Sequence, residues 1–103
     1  MIKIEIARTD GKIKSLSIKG HSNSAPKGED IICSAVSAVS QGGLNALENP
    51  KCFAFNVKDG LLEVEAKSEV SDHDLVVLET IVTQLKSIEE VSKDYVKLIE
   101  KGK

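Results

Sequence analysis

Two side chains capable of covalent chemistry, His21 and Cys33, lie within the stretch GHSNSAPKGEDIICSAVSAVSQ, Gly20 to Gln41. The residues between them are rich in Gly, Ser, Pro and charge, and beyond Cys33 the composition turns to small, helix-compatible residues. A thiol at a loop-to-helix junction with an imidazole tethered nearby is the minimal equipment of a cysteine nucleophile and its base. If Asp30 is the N-cap, Cys33 falls in the first helical turn. Unpaired amides and the helix dipole there favour a thiolate. The same amides could receive the oxyanion formed by attack on a carbonyl. Ser37, one turn further on, shares a face with Cys33 and can donate a hydrogen bond to a substrate backbone or to the imidazole.

Each of these residues also has a purely structural reading. A lone cysteine in a helix of small residues commonly packs as a small hydrophobe. His21 after a strand is commonly a surface or capping residue, and Asp30 is better read as a cap than as a catalytic acid. Cys52 beside Phe53 reads as core, and His73 at the start of the last helix reads as solvent-facing. His21, Cys33, Cys52 and His73 show no metal-site spacing, so no metal is expected. Gly20 and Gly28 belong to no phosphate-binding motif, and no cofactor is expected.

The elements that must position this pair follow from periodicity. Residues 2 to 7 alternate Ile2, Ile4 and Ile6 with Lys3 and Glu5, as a half-buried strand does. Asp10-Gly11 signals a hairpin turn into a second strand at 13 to 19, with Leu16 and Ile18 on one face. Ile13 is out of phase with that face, which implies irregular pairing near the turn. A loop covers Gly20 to Glu29. The first helix runs from Asp30 to about Leu47, before Asn49-Pro50 stops it. Gly42 and Gly43 each weaken that helix by roughly 1 kcal/mol relative to Ala, which a close backbone approach, such as a subunit contact, would offset.

A second hairpin is expected from Cys52 to Lys58 and Leu61 to Lys67, turning at Asp59-Gly60. Ser71 and Asp74 read as a capping box for a last helix with the apolar stripe Leu75, Leu78, Ile81, Val82, Leu85 and Ile88. Residues 95 to 100 read as a short terminal strand or as more helix, with the strand favoured. The expected architecture is α+β, a small two-layer domain. Two antiparallel β-hairpins and two helices follow the order ββαββα, with the helices on one face of the sheet.

Composition excludes several classes of function. The chain has 103 residues, 41% hydrophobic and 29% charged, which suits one globular domain with a core of its own. A net charge of -2 and only three aromatics give neither the basic face nor the stacking platform of a nucleic-acid binder. No apolar run reaches the length of a membrane span, and the alternating, charged first residues are not those of a signal peptide. Reduced cysteines and a cytoplasmic location are expected.

The pattern G-H-S-N-x-A-x-x-G-x-D-I-I-C-x-A-V-S-A-V, Gly20 to Val39, closely resembles the signature of the ribosomal-processing cysteine proteases, the Prp family. The leading hairpin, the glycine-bearing helix, the Asp-Gly hairpin and a closing helix near Lys93-Asp94-Tyr95 extend the resemblance over nearly the whole chain. Ser34 departs from it, since many members carry Ala there. The resemblance implies a single cysteine protease domain over residues 1–103, with Cys33 as nucleophile and His21 as base. Ser37 would help place substrate, and Gly20, Gly28 and Asp30 would serve as supporting loop and cap. It implies removal of the N-terminal extension of a bacterial large-subunit ribosomal protein, number twenty-seven, by a cut after Phe in a short apolar sequence. It also implies a homodimer. Two other readings remain open at this point: a non-catalytic ribosome-associated binding module with Cys33 and His21 structural, and a thiol-based acyl transferase or deamidase.

Overall fold

The computed structural model describes residues 1–21 and 30–103. The expected loop Ser22 to Glu29, Gly28 included, lies outside the described residues. The elements are β1 (Ile2–Thr9), β2 (Lys12–Lys19), α1 (Ile31–Leu44), a 3-10 turn (Pro50–Cys52), β3 (Phe53–Lys58), β4 (Leu61–Ala66), α2 (Asp72–Val91) and β5 (Val96–Gly102). The strands form one sheet in the order β3-β4-β2-β1-β5, antiparallel throughout except for β5 beside β1. Two hairpins thus supply four strands. Each helix then carries the chain between parallel strands that are not neighbours: α1 from β2 to β3, and α2 from β4 to β5. A parallel return needs a crossover of this length, so both helices follow from the strand directions.

Both helices cover the same sheet face. Ile2, Ile4 and Ile6 of β1, Leu16 and Ile18 of β2, and Leu62, Val64 and Ala66 of β4 are all buried there beneath Val36 of α1 and Leu78, Ile81, Val82 and Leu85 of α2. Ile13 is buried as well. The β1–β2 register jumps from Ala7↔Ser15 to Arg8↔Ile13, leaving Lys14 as an extra residue in β2. That β-bulge turns Ile13 onto the same face as Leu16 and explains the broken alternation in the sequence. The opposite face carries Lys3, Glu5, Ser15, Ser17, Glu63 and Glu65, as polar alternation requires.

The terminal segment is strand, as favoured. It pairs in parallel with β1, Ile2↔Val96 through Arg8↔Gly102. Helix α1 ends at Leu44 with Asn45 as C-cap, short of the expected Leu47. Leu47 is nevertheless buried. Gly43 faces α2 so closely that a Cβ built on it would overlap Ile81, with Ile81 Cδ1 at 2.7 Å, whereas Gly42 has open space around it. The close approach expected of this glycine pair is therefore made at Gly43, between the two helices.

The capping box at the start of α2 is only half formed. Ser71 Oγ accepts from the Asp74 N–H at 3.2 Å, but the Asp74 side chain does not reach back to Ser71. It is completely buried and accepts from the N–H groups of Glu48 (2.8 Å) and Asn49 (3.0 Å), joining the first turn of α2 to the segment after α1. The reason is chemical. Two consecutive amides beyond the end of α1 lack helical partners, and a buried carboxylate satisfies both at once.

Candidate active site

The site is built where β2, the β3–β4 turn and α1 meet. At the start of α1, the extended backbone of Asp30 lets its carboxylate accept from the Cys33 N–H at 3.0 Å, the N-cap expected from the sequence. Asp30 is itself buried and Cys33 half-buried against the core. The cap has a chemical consequence. Because the Cys33 amide is engaged by Asp30, an oxyanion at this thiol must be met by other donors, which narrows the expectation that first-turn amides would serve.

His21 is held from three directions. Its carbonyl accepts from the Met1 ammonium at 2.6 Å, and the preceding Gly20 N–H donates to the Gly60 carbonyl at 2.9 Å. Its ring lies over Gly60, with Nε2 nearest. Gly20 has φ +95°, and a Cβ there would lie 2.5 Å from the Met1 carbonyl oxygen, so this position accepts only glycine.

Between α1 and the β3–β4 hairpin runs a groove of about 290 Å³. Ile18, Val36, Val57 and Leu62 give it an apolar lining, and Ser37, Ser40 and Gln41 give it a polar helical wall. Asp59 and Gly60 line its hairpin end, where the His21 ring sits. Ser37 is exposed on α1 one turn beyond Cys33, on the same helix face. Ser40 has its hydroxyl turned back to the Val36 carbonyl at 2.7 Å and is buried, so Ser37 is the hydroxyl of that wall left at the surface. A second cleft, about 330 Å³, opens on the polar sheet face among Ser15, Ser17, Asn56, Glu63 and Glu65. It holds neither thiol nor imidazole.

The sequence reading set Cys52 in the core and His73 in solvent. Cys52 is half-buried and packs against the core. The His73 side chain is 52% exposed, and its Nδ1 lies 2.8 Å from Asp74 Oδ1 and 3.8 Å from Glu48 Oε1. The hydrogen bond to Asp74 raises the imidazole above its ordinary value, against a smaller opposing effect of burial. Burial pushes the Asp74 carboxyl up, but the bonds from Glu48, His73 and Asn49 outweigh it and hold it below its ordinary value. This junction was not legible as such, because Ser71-x-x-Asp74 also fits a helix cap.

A thiol in the first turn of a helix, an imidazole over the facing hairpin turn and a groove of mixed lining between that helix and hairpin are parts that a peptide hydrolase can use. The comparisons with known proteins give the class and then the family. The family described as cysteine protease Prp matches residues 1–97. The curated ribosomal processing cysteine protease Prp of Staphylococcus aureus is 28% identical over 104 residues, covering 95% of this chain and 97% of the relative. A crystal structure of that organism's essential ribosomal processing protease Prp, with a covalently linked product peptide, superposes with a TM-score of 0.90. It is 28% identical and covers 98% of this chain and all of the other. The same enzyme with a substrate peptide gives 0.78 at 26% identity, over the same shares of the two chains. The chain belongs to the cysteine protease Prp family. It is a cysteine protease, and the reading of a non-catalytic binding module is set aside by that membership.

Proposed function

We propose that this chain is a ribosomal-processing endopeptidase acting through Cys33 as nucleophile and His21 as base. The groove between α1 and the β3–β4 hairpin carries the reading. It runs from Gly60, over which the His21 ring lies, to Ser37, one helical turn beyond Cys33. Its volume is close to the roughly 300 Å³ at which small ligand pockets begin. A mixed lining, with Ile18, Val36, Val57, Leu61 and Leu62 beside Ser37 and Gln41, suits a peptide that presents one apolar side chain inward and its backbone to Ser37.

On this reading the substrate is the N-terminal extension of large-subunit ribosomal protein number twenty-seven, cut after Phe. The likeness to an enzyme solved with substrate and product peptides supports it. In the reaction the imidazole takes the thiol proton, the sulfur adds to the scissile carbonyl, and His21 returns the proton to the departing amine. Water then hydrolyses the thioester. Gly20 and Asp30 hold the two ends of the connecting segment, to which Gly28 belongs. The enzyme works as a cytoplasmic homodimer, with residues 1–103 as its single domain.

The test uses a peptide spanning the extension and the first residues of the mature ribosomal protein. Cys33→Ala should fold and fail to cleave, while Cys52→Ala cleaves at the wild-type rate. His21→Ala should lose several orders of magnitude, and the wild-type rate should follow a bell-shaped pH profile belonging to the coupled pair. Cleavage by Cys33→Ala would refute the mechanism. A host ribosomal protein without any extension would refute the substrate.

A further inference from the structure

The β3–β4 turn does more than reverse the chain. Gly60, at φ +72°, sits beneath the His21 ring, and a Cβ built on it would lie 2.9 Å from Nε2 and 3.6 Å from both Cδ2 and Cε1. Cβ atoms essentially never come within 3.0 Å of another heavy atom, so any side chain at this position would have to push the imidazole away. The Gly60 carbonyl also holds the Gly20 N–H at 2.9 Å, anchoring the backbone one residue before His21. Ring and backbone of the histidine segment thus rest on one turn residue, which itself lines the groove.

We infer that Gly60 is a positioning residue for His21, its missing side chain setting where the imidazole stands relative to the groove. The inference rests on the reading of His21 as the catalytic base. The other hairpin provides an internal control. Gly11 occupies the second position of the two-residue β1–β2 turn with φ +78°, yet nothing lies within 4 Å of a Cβ built there. A substitution at Gly11 therefore meets similar backbone strain without a histidine to displace.

The experiment compares Gly60→Asn with Gly11→Asn in the full chain, since Asn is among the residues that best tolerate positive φ. Steady-state cleavage of the extended ribosomal-protein peptide is followed across pH, and the His21 ring is titrated by nitrogen-15 NMR. Gly60→Asn should lower kcat on the order of a hundredfold, as small misplacements of a catalytic group do. Its KM should stay within about twofold, and the limbs of its pH profile and its His21 titration should move. Gly11→Asn should match the wild type in all of these.

Equal behaviour of the two variants overturns the inference. So does a raised KM with unchanged kcat, which would make Gly60 only a wall of the groove. If Gly60→Asn does not fold, the wild-type protein decides: a nuclear Overhauser contact between the Gly60 Hα protons and the His21 ring is required, and its absence refutes the inference. Failure of the catalytic reading looks different. His21→Ala would then cleave normally, while the ring contact and the shifted His21 titration in Gly60→Asn persist.

Discussion

Replacing Asp74 by Ala should be a severely damaging polar change outside the site, and its size can be worked from its contacts. The carboxylate is fully buried and receives the Glu48 and Asn49 N–H groups at 2.8 and 3.0 Å and faces His73 Nδ1 at 2.8 Å. Hydrogen bonds to a charged partner are worth about 1.5–3 kcal/mol each. Glu48 and Asn49 are exposed residues, so water reaches their freed amides and the low end of that range applies. Two such bonds give a loss of about 3 kcal/mol, a large share of the 5–15 kcal/mol typical of a domain. Asp74→Asn keeps one carbonyl oxygen as acceptor and should lose about half as much.

Urea unfolding at neutral pH measures both, with an unchanged denaturant slope expected. The pH dependence gives a second check. The folded Asp74 carboxyl lies below its ordinary value of 3.8, so its stabilisation is present above that value and lost as pH falls through the folded one. The difference between wild type and Asp74→Ala should therefore close in strong acid. His73 is raised above 6.5, so its smaller share is present below that value and fades as pH rises through the folded one. A loss below about 1 kcal/mol at neutral pH would refute the reasoning, since it would mean that the two amides find equal partners elsewhere.

Further outcomes are expected elsewhere. Gly42→Ala, with open space around it, should raise stability by about 1 kcal/mol through helix propensity. Gly43→Ala forces its Cβ onto Ile81 and should lower stability by about 1–3 kcal/mol, so thermal melts of the pair must move in opposite directions. Arg8 makes a two-pronged contact with Glu79, at 2.6 and 2.9 Å, and reaches Glu100 at 3.0 Å, tying β1 to α2 and β5. Arg8→Met should cost about 1 kcal/mol in low salt and less in high salt, because both carboxylates are partly exposed. Arg8 lowers the Glu79 carboxyl, and Lys86 followed by Arg8 lowers Glu100, so this stabilisation is present above the ordinary 4.5 and lost as pH falls through the folded values. Equal acid sensitivity of Arg8→Met and wild type would contradict that account.

Local signals carried most of the fold. The alternation Ile2, Ile4, Ile6, the two Asp-Gly turns and the stripe from Leu75 to Ile88 each act over a few residues, and each gave the element found. The direction of β5 could not be read this way. Its partner is β1, more than ninety residues away, and Val96 and Leu98 suit either neighbour of a sheet. Asp74 was misassigned for a related reason: its spacing from Ser71 is local, whereas the amides it satisfies lie 25 and 26 residues earlier. At the site, the cap on Cys33 was legible because capping is local. The contact of His21 with Gly60 was not, because it depends on two strands being placed side by side.

The pairing of β5 with β1 also governs when this chain can finish folding. During synthesis β1 has one neighbour, β2, available at once, and its other side waits for β5. Closing so long a loop is entropically costly, and contacts of such separation slow folding relative to the hairpins beside them. Until β5 arrives, the β1 edge presents unpaired amides and carbonyls open to other strands. The early hairpin β1–β2 carries His21 at its end, and α1 carries Cys33, so both candidate catalytic groups are synthesised well before the sheet that seats them is complete.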